Sequence, residues 1–195
     1  MYAFKVDDIL KVQSNIELQN NAIDDATNNM RIALDTDVLG GVYGDATTSF
    51  TAAAVDATNV LNFIVQAGQA LDELNVGSDG RFLVLPPWMC AFIKLSDLKD
   101  ASLAGDGTSI LRNGRVGIID RFVIYMSNLL ALTNTDTEWN VIGGTKDAIT
   151  FASQYIKTET LRLEGTFGDG VRGLNVYGYK VIHADSLVHV IAKKV

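Results

Sequence analysis

The chain has 195 residues, a formal net charge of −7 and a sequence pI near 4.7, so its average field repels a phosphate backbone and a nucleic-acid-reading role is disfavoured. Hydrophobic residues make up 48% and mean hydropathy is +0.16, enough for one sizeable core or a core with a smaller lobe, with some apolar surface left for partner subunits. The lone Cys90 excludes a disulfide framework and suits a reducing compartment, MYAFKVDDILK lacks the pattern of a secretion signal, and Pro86 and Pro87 interrupt the longest apolar run, so no membrane segment is expected.

From Asp7 the apolar residues Ile9, Val12, Ile16, Ile23, Ala26, Met30, Leu34 and Val38 fall at helical spacing. They predict one long helix that ends near Gly40 and Gly41, with Asp7 and Asp8 complementing the dipole in its first turn. A second helix is predicted from Thr51 to Leu74, its buried side formed by Val55, Leu61, Ile64, Ala67, Leu71 and Leu74. Asn75, Gly77 and the GSDG turn stop it.

RFLVL reads as a short buried strand, and the double proline both ends it and opens a helix over WMCAFIKL, which places Trp88 and Cys90 in the core. Residues Asp100 to Arg115 read as an exposed loop. GIIDRFVIYMSN follows as a strand, then the polar loop NTDTEW with Trp139 at an interface, a brief strand near NVI, a break at Gly143 and Gly144, and a short helix from Lys146 to about Ser153. Two long strands, QYIKTETLRL and VRGLNVYGYKVI, are joined by EGTFGDG, and LVHVIAKK closes the chain. Neither face of QYIKTETLRLE is apolar throughout, which fits cross-strand charge pairs and a surface turned to other chains or solvent.

Gly168, Gly170 and Gly173 have the G-x-G-x-x-G spacing of a dinucleotide-binding loop. That chemistry needs a helix after the glycines, so that its N-terminus faces the pyrophosphate; LNVYGYKVI is strand-like, and a hairpin tip is the better reading. A nucleotide-binding enzyme is thus the weakest alternative. Zinc would need more than His183, His189 and Cys90, and Ser186, His183 and Asp185 are sequence neighbours without a nucleophile elbow. Asp7 with Asp8 and Asp24 with Asp25 point in different directions on a helix. No catalytic residue, metal or cofactor is assigned.

The helix start FKVDDILKVQSNIELQNNA after a strand, LDELNVGSDGRFLVLPP, NGRVGIIDRFVIYMSN and KDAITFASQYIKTETLRLEGTFGDGVRGLNVYGYKVI occur in the order seen in the major capsid protein of tailed bacteriophages. The chain resembles that family over most of its length. The resemblance implies an α+β Hong Kong 97 fold in which residues 1–48 carry the spine helix of a peripheral domain, 49–149 form an axial domain, 150–182 form the peripheral domain's long hairpin, and 183–195 return a strand to the axial domain. It implies pentamers and hexamers of this chain in a virion shell around double-stranded DNA, assembled in the bacterial cytoplasm with scaffolding and portal proteins. An encapsulin-type nanocompartment shell is the main alternative. Lys157, Glu159, Arg162, Glu164, Gly168, Asp169, Gly170 and Arg172 are the expected inter-subunit contacts, with the GDG tip near a three-subunit junction. The family's N-terminal arm and extended loop precede its spine helix, whereas only MYAFKV stands here, so a truncated chain or a fragment is expected.

Overall fold

A computed structural model describes residues 2–7, 17–96, 117–134, 137–162 and 168–194. The chain divides into two compact units, Met1–Asp35 with Phe151–Tyr179, and Thr36–Thr150 with Lys180–Val195.

In the first unit, β1 (Tyr2–Asp7), β9 (Gly168–Val181) and β8 (Ile149–Arg162) form a three-stranded sheet in the order β1-β9-β8. β1 runs antiparallel to β9, with Tyr2 opposite Gly173 and Asp7 opposite Gly168. Asp7 is therefore a strand residue and not the first turn of a helix. The long helix α1 is described over Glu17–Val42, and the predicted part before Glu17 lies outside the described residues apart from Asp7. Its predicted stripe is visible: Ala26, Met30, Leu34 and Val38 are half-buried while Asp24, Asp25, Asn28, Asn29 and Arg31 are exposed. At about 1.5 Å per residue the described helix is roughly 39 Å long, and it runs through Gly40 and Gly41 to a 3-10 turn at Tyr43–Asp45.

The second unit is built on a seven-stranded sheet: β2 (Thr48–Val55), β10 (Leu187–Lys194), β7 (Glu138–Thr145), β3 (Arg81–Leu85), β5 (Phe122–Met126) and β4 (Ile118–Ile119), with β6 (Leu132–Thr133) also paired to β7. β2 is parallel to β10 and β3 to β5; the other pairings are antiparallel. Helices α2 (Val60–Glu73) and α3 (Pro87–Leu95) supply one side of the core. Val60, Ile64, Ala67 and Leu71 of α2 and Met89, Cys90 and Ile93 of α3 join Leu83, Leu85, Val141, Val188 and Val190 in it. Each fully buried large aliphatic side chain contributes on the order of 1.5–3 kcal/mol.

Four further expectations are corrected. The helix predicted from Thr51 begins at Val60, because Thr48–Val55 is a strand paired to β10 and a polar box at Asp56 starts the helix afresh. The Asp56 carboxylate accepts hydrogen bonds from the Thr58 and Asn59 amides and from the Thr58 hydroxyl, while Asn59 Oδ1 accepts from the Asp56 amide. GIIDRFVIYMSN is a hairpin and not one strand, turning at Asp120 and Arg121, whose φ values of 45° and 68° are left-handed. Gly143 and Gly144 do not break β7: a side chain at Gly143 would put its Cβ 2.7 Å from Leu83 Cδ1, so glycine allows the close packing of β7. The helix expected from Lys146 to Ser153 is only a 3-10 turn at Lys146–Ala148, because the β8 ladder begins at Ile149. The predicted loop from Asp100 to Arg115 lies outside the described residues.

The two tryptophans share one environment. Trp88 meets Phe92 and Trp139 edge-on, at ring-centroid distances of 5.7 and 5.4 Å, and both tryptophans pack against the core.

Candidate functional site

The glycine motif sits inside β9, where Gly168, Gly170 and Gly173 pair with Asp7, Lys5 and Tyr2. The glycines are followed by strand, so no helix N-terminus meets a phosphate. The expected GDG hairpin tip is corrected in the same way, since the chain between β8 and β9 is 163–167, outside the described residues. Asp185 Oδ1 accepts a hydrogen bond from Thr47 Oγ1 at 2.7 Å, which separates it from any triad with His183 and Ser186. Burial pushes the Cys90 thiol up, the opposite of an activated nucleophile. Among the described residues no group of three or more His, Cys, Asp or Glu is arranged to hold a metal, and no helix is long and apolar enough to cross a membrane.

Of the eight expected contact residues, the structure brings together Glu159 and Arg172. Arg172 Nη2 and Nε donate to Glu159 Oε2 at 2.6 and 3.0 Å, so this charge pair is made across β8 and β9 of one chain. Both side chains reach solvent, which limits such a pair to about 0–1 kcal/mol. Arg162 is exposed near the end of β8. Gly168, Asp169 and Gly170 belong to the β1–β9 ladder, the side chains of Lys157 and Asp169 are outside what is described, and Glu164 lies in 163–167.

Sequence reasoning missed the apolar part of this surface. Along β9 exposure alternates with the strand period: Arg172, Leu174 and Val176 face outward, while Gly173 is buried and Asn175 and Tyr177 are half-buried. Leu174 is 40% and Val176 49% exposed, and Phe151 stacks on Tyr177 with centroids 6.3 Å apart. The alternation in RGLNVYGYK was the available signal.

A second apolar surface was missed in the seven-stranded sheet. Ile118 of β4 is 70% and Met126 of β5 65% exposed, with Tyr125 and Leu132 also exposed. The hairpin that carries Ile118 and Met126 is anchored by an ion cluster. Asp72 at the end of α2 receives Arg81 Nη2 on Oδ1 and Arg121 Nη2 on Oδ2, both at 2.7 Å. Arg81, fully buried, also donates to the carbonyls of Val76 and Gly77 and thereby fixes the turn after α2. The hydrogen bond from Arg121, and then that from Arg81, holds the Asp72 carboxyl below the usual carboxylate range. Gly68 lets this turn approach, because a Cβ there would collide with the Asp120 carboxylate.

These features describe a chain with apolar and charged surface on each of its two sheets. A family model for phage capsid protein matches residues 3–190. No curated protein matches the sequence. A solved chain from Mycobacterium phage Che8 is 28% identical, with a TM-score of 0.82 over 97% of this chain and 68% of that one. The capsid structure of the cyanophage P-SCSP1u is 14% identical, with a TM-score of 0.79 over 100% of this chain and 72% of that one. The encapsulin of the holo-SrpI complex from Synechococcus elongatus is 8% identical, with a TM-score of 0.64 over 97% and 71%. The fold is the α+β Hong Kong 97 capsid fold. With a phage capsid model matching nearly its whole length, the chain belongs to the phage capsid protein family and has a structural role in the virion shell.

Proposed function

We propose that copies of this chain assemble as pentamers and hexamers into an icosahedral shell around a phage double-stranded DNA genome, inside the bacterial host cytoplasm. The observation that carries this reading is the family match over residues 3–190, joined to exposed apolar faces on both sheets. A shell wall needs complementary surfaces on every copy, and these faces offer apolar area that the chain's own core does not cover. In this reading residues 1–48 and 150–182 form the peripheral domain and residues 49–149 and 183–195 the axial domain. Lys157, Glu159, Arg162, Glu164, Gly168, Asp169, Gly170 and Arg172 meet neighbouring subunits. The net charge of −7 suits a wall that encloses DNA without binding its sequence. Scaffolding and portal proteins are the further partners, and the chain is no enzyme.

The likeness to the encapsulin favours one second reading, a compartment shell around protein cargo. Electron microscopy of particles purified from the full-length protein separates the two. A portal vertex and packaged DNA support the phage shell; a portal-free particle filled with protein overturns it.

A further inference from the structure

His189 lies on β10, between β2 and β7, and is 7% exposed. Its two ring nitrogens are both engaged: Nε2 is 2.9 Å from Asn140 Oδ1 on β7, and Nδ1 is 3.0 Å from Ser49 Oγ on β2. The neighbours assign the tautomer. Asn140 Nδ2 donates to the Ala131 carbonyl at 2.8 Å, which turns Oδ1 toward the imidazole. An amide oxygen accepts only, so Nε2 carries the proton, and Nδ1 accepts from the Ser49 hydroxyl. One neutral ring thus links three adjacent strands.

Among the described residues, the groups facing it are neutral. From the 3-10 turn after α1, the Tyr43 ring lies at a centroid distance of 5.2 Å, and Asp45 on that turn is exposed. β2 offers the Ser49 hydroxyl and β7 the Asn140 amide. Leu187 and Ile191 flank the histidine on its own strand, and farther along Glu138 and Lys193 are register partners of opposite charge. Burial alone pushes the imidazole below its ordinary value.

Among the described residues β2 is an edge strand whose one strand neighbour is β10; its register shifts between Val190 and Ala192, and Thr51 to Ala54 are exposed. We propose that His189 is an acid-sensitive latch for β2: a proton on Nδ1 releases the edge strand while β3, β5 and β7 stay paired. The incoming proton occupies the site that accepts the Ser49 hydroxyl, so that hydroxyl has to turn its own proton away, and a cation is left among neutral partners. In the released state the ring meets water and holds its proton without that cost. Because the folded value is lowered, the latch is complete above the ordinary histidine value of about 6.5 and is lost as pH falls through the folded value.

Hydrogen exchange of the full chain between pH 7.5 and pH 5, corrected for the intrinsic chemistry of the amides, tests this. Opening of β2 peptides should rise toward about tenfold per pH unit below pH ~6.5, while β3 and β5 stay within about twofold. His189→Gln keeps a donor for Asn140 and an acceptor for Ser49 and should remove the acid response, whereas His183→Gln should retain it. A flat β2 profile in the unaltered protein, an equal acid response in His189→Gln, or joint opening of β3 and β5 overturns the latch. If His189→Gln does not fold, an NMR titration of the unaltered protein decides: β2 amide signals that are lost or shifted along with the His189 titration support the latch, and β2 signals unchanged through it overturn it.

Discussion

In the seven-stranded sheet, Leu83, Leu85, Val141, Val188 and Val190 are packed with α2 and α3, and the strands there exclude water from a continuous core. In the three-stranded sheet, Leu174 and Val176 face outward beside a solvent-exposed Glu159–Arg172 pair. Both sheets are rich in β-branched and aromatic residues, yet the seven-stranded one uses most of them to hold the subunit together and presents only those near β4, whereas the three-stranded one presents Leu174 and Val176 along β9. Apolar content therefore reports two separate things in this chain, subunit stability and the capacity to meet another copy.

Substitutions that act on only one of these properties sharpen the comparison. Leu71→Ala in the α2 core should lower unfolding free energy by about 2–5 kcal/mol in a denaturant titration, through lost burial and the cavity left behind. Arg81→Met should cost about 1.5–3 kcal/mol, because the carbonyls of Val76 and Gly77 and one oxygen of Asp72 lose a charged donor. The same cluster sets an acid limit on stability. The lowered Asp72 value means that its contribution is complete above the ordinary carboxylate value of about 3.9 and is lost as pH falls through the folded value, so Asp72→Asn should flatten that part of the stability profile.

For the subunit, Leu174→Asp with Val176→Asp should cost less than Leu71→Ala, about 1–2 kcal/mol, because both side chains are only partly covered while Asp is a poor strand former. Their effect on assembly should be the reverse, with light scattering showing loss of the large species. If the two aspartates unfold the subunit as severely as Leu71→Ala does, the β9 face is core and the contrast between the sheets is false. Glu159→Gln should change subunit stability by no more than about 1 kcal/mol, with the difference shrinking at high salt.

Much of this fold could be read from the sequence. The stripe Ala26, Met30, Leu34 and Val38, the buried RFLVL strand and the Pro-led helix over WMCAFIKL all follow from local periodicity and capping. Thr51 to Val55 could not be assigned that way. Alanine is a strong helix former, and only the long-range pairing of β2 with β10 makes that stretch a strand. The hairpin at Asp120 and Arg121 was hidden because neither residue is glycine, although both adopt left-handed backbone angles. Of the proposed contact surface, Glu159 was legible as a charge in a strand with neither face apolar throughout; cross-strand charge pairing was expected there, but Arg172 was not identified as its partner. Ile118, Tyr125 and Met126 were not, because their spacing is that of ordinary buried strand residues, and only the position of β4 and β5 at the sheet edge exposes them.

The most direct test of the central claim is a cryo-electron microscopy map of particles assembled from the full-length protein, at a resolution that shows side chains. The account predicts that Leu174 and Val176 on β9, and Ile118 and Met126 at the β4–β5 edge, are covered by neighbouring copies. Finding both faces open to solvent in an intact shell would contradict it.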